Sequence, residues 1–162
     1  MSDSPVCNIC GAKLARIPVA SADRESADCD VCQSNIRLRA IIALLSEELF
    51  GMPLTLPEFP VLKEIRAIGM SDPVELAARL SEKFDYTNTF YHQAPGFDVT
   101  RLRDEDRGRY DLIISSEVMG HVPPPIEAAF RNLYDALKPD GLLLMSTPFS
   151  LGKPRGTFSG AA

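Results

Sequence analysis

Four cysteines carry the strongest chemical signal in this sequence, and all of them fall within its first 32 residues. Cys7-Asn8-Ile9-Cys10-Gly11 and Cys29-Asp30-Val31-Cys32 form two CxxC pairs with eighteen residues between them, and no other cysteine occurs in the chain. Each pair can occupy two adjacent corners of a tetrahedron, and Gly11 frees the backbone to turn beneath a metal. Thiolate sulfur at this spacing suits zinc in a ribbon-type site. Four thiolates saturate a tetrahedral ion, so the expected role of Cys7, Cys10, Cys29 and Cys32 is structural. Two disulfides are the alternative use of the same residues. A thioredoxin-like redox role would need a CxxC that follows a strand within a βαβ unit, which the pattern does not offer.

Composition narrows the classes. The chain has 162 residues, 45% of them hydrophobic and 24% charged. That is enough for one core and a small appendage but not for two full-size domains. A formal charge of −5 argues against binding to a phosphate backbone, and metal-bound thiolates would make the chain more acidic still. A nucleic-acid partner is therefore not expected. No apolar run approaches the roughly 18 residues of a membrane span, so no membrane partner is expected either. The start, Met1-Ser2-Asp3-Ser4-Pro5, is polar and unlike a signal peptide. A cytoplasmic location is the expectation, where thiols stay reduced or bind metal.

The elements that must position any site follow from periodicity and punctuation. Residues 34–50 read as a helix whose apolar face is Ile36, Ala40, Ala43, Leu44 and Phe50, with Arg37, Arg39, Glu47 and Glu48 on other faces and Gly51 as its stop. Pro53, Pro57 and Pro60 make residues 52–60 an extended connector. Residues 65–68 read as a short strand before Gly69. A helix over 74–84 opens on Asp72 as N-cap and Pro73 at its first position. Residues 86–91 read as a second strand, Asp98-Val99 as a short third, 110–118 as a buried strand, 126–137 as a helix and 142–147 as another buried strand. The helix over 126–137 should bury Ala129, Phe130, Leu133 and Leu137, and Pro139-Asp140-Gly141 should stop it. Alternating strands and helices of these lengths imply an α/β fold with a parallel, doubly wound sheet. The expected division is a zinc ribbon over 1–35, a helix and Pro-rich connector over 36–60, a partial Rossmann-like core over 61–149 and an irregular tail over 150–162.

In an open parallel sheet, ligands sit beyond the carboxyl ends of the strands at the switch point. Three loops could line such a crevice: 69–72, with Gly69, Ser71 and Asp72; the Asn88-Thr89 region; and Ser115-Ser116-Glu117. Within 61–149 two linked segments go further. Tyr110-Asp111-Leu112-Ile113-Ile114-Ser115-Ser116-Glu117-Val118-Met119-Gly120-His121-Val122-Pro123 is followed by Ala136-Leu137-Lys138-Pro139-Asp140-Gly141 and then Leu142-Leu143-Leu144-Met145-Ser146-Thr147-Pro148. These resemble the fourth strand, the LKPGG turn and the fifth strand of class I S-adenosylmethionine-dependent methyltransferases of the type 11-like group. The resemblance implies S-adenosylmethionine as cofactor beside the structural zinc. It implies cofactor contacts from Gly69, Ser71, Asp72, Asn88, Asp98, Ser115 and Glu117, with Asp98 on the adenine side and Asn88 replacing an acidic ribose ligand. The family's glycine-rich turn is reduced here: Gly69 keeps the first glycine, Ser71 replaces the second and Ala67 replaces the acidic residue.

No catalytic side chain is assigned. His121 is a candidate base near the crevice, with a packing or helix-orienting role as the alternative; His92 could face the crevice or be an exposed loop residue; and methyl transfer relies chiefly on alignment. The acceptor, small molecule or macromolecule, is not named by any motif. The resemblance also implies a further helix and strand pair after residue 149, where this sequence has a Gly-, Pro- and Ser-rich stretch. The expectation is a truncated, impaired enzyme with an exposed edge strand able to self-associate. The alternative is a non-catalytic binding or scaffold module that keeps the zinc and the fold.

Overall fold

A computed structural model describes residues 5–14 and 29–147 of the chain. Its elements run α1 (Ile36–Phe50), β1 (Leu62–Met70), α2 (Val74–Lys83), β2 (Phe84–Thr89), β3 (Tyr110–Ser116), α3 (Glu127–Ala136) and β4 (Leu137–Ser146), with short 3-10 turns at Leu56–Glu58, Asp104–Asp106 and Met119–His121. The strands form one parallel sheet in the order β2-β1-β3-β4. The chain leaves β1 to build β2 on one side, then returns to place β3 on the other. A switch point therefore lies between β1 and β3.

Period-two alternation sorts the strand residues into two layers. Ala67, Leu112, Ile114 and Leu144 pack with Leu38, Ile41, Ile42 and Leu45 of α1 and with Leu76 and Leu80 of α2. Ile68, Met70 and Ile113 face the other way, onto Ala129, Leu133 and Ala136 of α3 and onto Phe97, Val99 and Met119. Both faces are covered, which is why β3 reads as an uninterrupted apolar run. Helix α1 starts where the Asn35 side chain accepts from the Leu38 amide (2.9 Å) and stops at Gly51, whose φ of +66° lets its N–H reach the Glu47 carbonyl at 2.8 Å. Among the described residues, no helix is long and apolar enough to cross a membrane.

The structure corrects several local expectations. Helix α1 buries Leu38, Arg39, Ile41, Ile42, Leu45 and Ser46, while Leu44 is 54% exposed. The helix carries apolar residues on more than one face, and docking on the sheet selects among them. Asp72 does not cap α2: Pro73 holds the N-cap position without a side-chain cap, and the Asp72 carboxylate is hydrogen-bonded by the Tyr86 hydroxyl. Asp98-Val99 forms no strand. Asp98 Oδ1 instead accepts from the amide and hydroxyl of Thr100 (2.8 and 2.7 Å), an Asx turn in place of extended backbone. Phe130 is exposed on α3, and Leu137 belongs to β4. β4 also takes in Pro139-Asp140-Gly141, and α3 ends at Ala136.

The Pro-rich stretch is not an open spacer. Leu56 and Phe59 are buried in the α1–α2 layer. The Phe59 ring sits edge-on to Phe50 at 4.8 Å and to Phe84 at 6.4 Å. Lys83 Nζ, at the end of α2, donates to the carbonyls of Pro57 (2.9 Å) and Phe59 (2.7 Å). Cys7, Ile9, Leu14, Cys29 and Cys32 belong to the same buried layer as α1, α2 and the sheet. The prolines of the connector thus do not set the cysteine region apart from the sheet: the two share one continuous core. The expected tail over 150–162 lies outside the described residues.

Candidate functional site

The cysteine region is built from two turns of the same design. After Cys10, Gly11 takes a φ of +79° and its N–H reaches the Cys7 carbonyl at 2.8 Å. After Cys32, Gln33 takes a φ of +55° and its N–H reaches the Cys29 carbonyl, also at 2.8 Å. Glycine adopts that conformation freely at the first turn, whereas Gln33 bears a steric cost at the second. The first turn is closed by the Cys7 amide on the Ala12 carbonyl (2.8 Å) and by a Val6–Lys13 bridge. The turns bring all four Sγ atoms within 4.8 Å of one another.

The donor set fits zinc. A tetrahedral ion with Zn–S of about 2.3 Å requires sulfurs about 3.8 Å apart. Cys7 and Cys32 lie at 3.7 Å, Cys10 and Cys29 at 3.5 Å. Both separations far exceed a disulfide bond of about 2.05 Å, and all four cysteines are free. Cys7, Cys29 and Cys32 are buried. Burial pushes the Cys10 thiol up to about 12 and raises Cys32 as well. At Cys7 burial acts the same way but is outweighed by hydrogen bonds from Ser34 and from the Cys10 and Ile9 backbone, leaving it at about 7. Metal-free thiols here would therefore be mostly protonated at Cys10, and a divalent cation is what would let four sulfurs share this space as thiolates.

At the carboxyl ends of the strands lies a crevice of about 580 Å³, a size suited to a small organic ligand. Ser71 and Asp72 line it after β1, Thr89 from the end of β2, Asp98 from the long loop, Ser116 from the end of β3 and Glu117 just after it. His92 and His121 are also on its wall, as is Arg37, which arrives from α1. Two of these residues hold left-handed backbone without being glycine: Ser71 at φ +59° and Glu117 at φ +61°. Such positions cost on the order of 1 kcal/mol each and tend to gather at functional sites. Here they terminate the two strands that flank the switch point.

Gly69, Asn88 and Ser115, expected at the site, do not line the crevice. A Cβ on Gly69 would collide with the Tyr86 hydroxyl and Asp72 Oδ2, so the glycine makes room for that buried pair. Asn88 spends its amide on Asp72: its Oδ1 accepts from the Asp72 amide (3.0 Å) and its Nδ2 donates to the Asp72 carbonyl (2.8 Å). It thus braces the loop that Ser71 and Asp72 belong to. Ser115 is fully buried, with no hydrogen-bond partner for its hydroxyl among the described residues.

Asp72 is the most deeply buried carboxylate of the crevice. It is 5% exposed, and Oδ1 is buried without a hydrogen-bond partner among the described residues, while Oδ2 accepts from the Tyr86 hydroxyl. Burial raises its pKa, against the Tyr86 hydrogen bond and the charge of Arg37. Burial and the neighbouring Asp72 in turn push Tyr86 well above the usual phenol range. Glu117 closes the far side. Its amide donates to the Ser146 carbonyl (3.0 Å) and its Oε1 accepts from the Ser146 hydroxyl (3.1 Å). Ser146 Oγ lies 3.2 Å from Ser116 Oγ, which in turn accepts from the Arg37 guanidinium. The helical period placed Arg37 only on a face of α1 other than its apolar one. Its role at the crevice depends on how α1 docks, for which no local signal exists.

A methyltransferase domain family matches residues 56–156. The ubiquinone biosynthesis O-methyltransferase of Acinetobacter baylyi is 31% identical over 85 residues, covering 52% of this chain and 34% of that protein. The chain thus spans about a third of that curated relative. Among solved structures, the CMeT domain of the citrinin polyketide synthase aligns over 70% of this chain and 35% of its own, at 17% identity and a TM-score of 0.48. A protein of Methanococcus maripaludis, described as a candidate S-adenosyl-L-methionine-dependent methyltransferase, aligns over 69% of this chain and 56% of its own, at 18% identity and a TM-score of 0.45.

Proposed function

Because this chain belongs to the methyltransferase domain family, we propose that its crevice binds S-adenosylmethionine for methyl transfer to an acceptor held beside it, and that the four cysteines hold a structural zinc ion. The observation that carries this reading is the convergence of Ser71, Asp72, Asp98 and Glu117 on one cavity of about 580 Å³ at the switch point of a parallel sheet. The residues fit the cofactor chemically. Asp98 and Glu117 offer carboxylate acceptors to hydroxyl or amino donors, and the orphaned Asp72 Oδ1 offers a third. Phe97, Val99 and Val118 provide an apolar wall. The cofactor, when bound, supplies a methyl group on a sulfonium. The chain's part is to hold both reactants in line and to keep water out. His92 and His121 stand on the wall where an acceptor proton could be taken up.

Calorimetric titration of zinc-loaded protein with S-adenosylhomocysteine tests this. Binding near one per chain is expected, weakened about tenfold or more in Glu117→Gln, which loses a charge-assisted contact. Absence of binding would sink the reading. A cytoplasmic location agrees with the reduced cysteines, and fractionation of cells expressing a tagged chain tests it. Pairing of β4 edges between two copies, expected to be visible by size-exclusion chromatography, follows from β4 being an outer strand of the described sheet.

A further inference from the structure

The cysteine turns and the crevice are joined by the first turn of α1. Ser34, 2% exposed, follows Cys32 by two residues, and its hydroxyl oxygen lies 3.2 Å from Cys32 Sγ and 3.4 Å from Cys7 Sγ. The Ser34 carbonyl accepts from the buried Arg39 side chain at 3.2 Å, and the next residue, Asn35, caps α1. On the other turn, the Asn8 side chain donates to the Arg39 carbonyl at 2.8 Å. Both cysteine turns thus grip the same first turn of α1, one from before it and one from its side. Arg37 sits within that grip and reaches across to Ser116 on the crevice rim. From there the hydrogen bonds run through Ser146 to Glu117.

We propose that the metal held by the four cysteines acts on the crevice: by fixing the first turn of α1 it keeps Arg37 on Ser116, and so sets the shape of the crevice rim and its affinity for ligand. This rests on the zinc and ligand readings above. Arg37 and Ser34 are positioning residues in this scheme. Without the metal, four sulfurs have no common partner, the two turns separate, and the helix start loses both of its anchors. The loop after β3 then loses its hold on α1 while the β1–β2 pairing, which α2 also covers, is kept.

Two measurements decide it. The first needs no ligand: hydrogen exchange of the metal-loaded protein against protein treated with a chelator, with zinc content measured in both. The expected result is exchange about tenfold faster or more at the α1 start and at the Glu117 amide, with Ala67 and Ile68 still protected. Unchanged exchange at Glu117 after full metal loss would overturn the proposal, as would uniform loss of protection across the whole sheet. The second measurement is a cycle of Ser34→Ala and Arg37→Ala titrated with S-adenosylhomocysteine, each variant keeping one zinc per chain. Arg37→Ala is expected to weaken binding about tenfold and Ser34→Ala severalfold, with the double variant no weaker than Arg37→Ala alone. Arg37→Lys should recover part of the loss. Losses that multiply in the double variant would mean that the two residues act separately and would refute the link. If the wild type fails to bind S-adenosylhomocysteine, the functional reading falls, and the exchange experiment still decides the coupling.

Discussion

The cysteine cluster draws its four sulfurs from two short turns, whereas the crevice takes its wall from three strand ends, a long loop and a helix that precedes the sheet. In the cluster, each ligand pair is fixed by a local rule: CxxC, then a residue in left-handed backbone returning a hydrogen bond to the first cysteine. In the crevice no such rule operates. Neighbours such as Arg37 and Ser116 are 79 positions apart in the chain, and residues adjacent in sequence part company, Ser115 going into the core and Ser116 to the rim. The contrast shows that a site built from turns is portable and legible, while a site built on strand ends is a property of the packing. It also shows that the portable site need not be an appendage, since its sulfurs lie in the core that carries the sheet.

The strongest way to break that comparison is to remove one sulfur. Cys29→Ser should lose the metal and destabilise the start of α1 and the layer around it, on the order of 5 kcal/mol, so that the sheet unfolds at a lower temperature while β1 and β2 stay paired at room temperature, because metal binding supplies folding energy to the layer it is buried in. Metal analysis with thermal unfolding followed by circular dichroism checks it. A sheet transition that stays in place would restore the cluster to appendage status. Next in size is Phe59→Ala, about 3–5 kcal/mol in urea unfolding, since its ring fills the gap between Phe50 of α1 and Phe84 of β2. A loss near that of an exposed residue would mean that the Pro-rich segment is a spacer after all.

Gly69→Ala sharpens the crevice side. The new Cβ would strike the Tyr86–Asp72 pair, and a cost of about 1–3 kcal/mol is expected from overpacking alone. The effect is a stability loss visible without any ligand. Unaltered stability with lost S-adenosylhomocysteine binding would instead return Gly69 to the cofactor.

The smallest effects are in pH. Asp111 receives Lys138 Nζ (2.7 Å) and the Arg66 amide (2.9 Å); these outweigh the opposing effect of burial and lower its pKa. Its contribution is present above the unfolded-state pKa and is lost as pH falls through the folded one. The pair is partly exposed, so Asp111→Asn should cost about 1 kcal/mol or less at neutral pH and nothing in acid. Asp72 has the opposite sign: burial raises its folded pKa, so its contribution is present at low pH and is lost as pH rises through that value. Asp72→Asn should therefore be no less stable than the wild type at neutral pH, while in acid it loses any advantage. Chemical denaturation across pH 3–8 separates the two: the wild-type difference from each variant should change in opposite directions.

The amino-acid sequence determined the elements whose rules are local. The paired CxxC turns, the Gly51 stop, the apolar runs of β3 and β4 and the order of strands and helices were all readable, because each depends on residues within a few positions of one another. The two sequence segments that resemble the methyltransferase family fall on β3 and β4, neighbouring strands of the sheet on either side of α3 in the chain. What only the tertiary structure decided is which face of α1 is buried, what Asp72 and Asn88 bond to, and that the loop at Asp98 is not a strand. Helix α1 has apolar residues enough for more than one docking, and the sheet's shape selects Ile41, Ile42 and Leu45 over Leu44. Asp72 could satisfy the start of α2 or the Tyr86 hydroxyl equally well by residue type. The second wins because Gly69 leaves a space beside β2 that only that pair fills. Arg37 follows from both: its place at the crevice is set by a helix orientation that no spacing within residues 34–50 specifies, and the Asn8 side chain, from the first cysteine turn, bonds that helix from outside it.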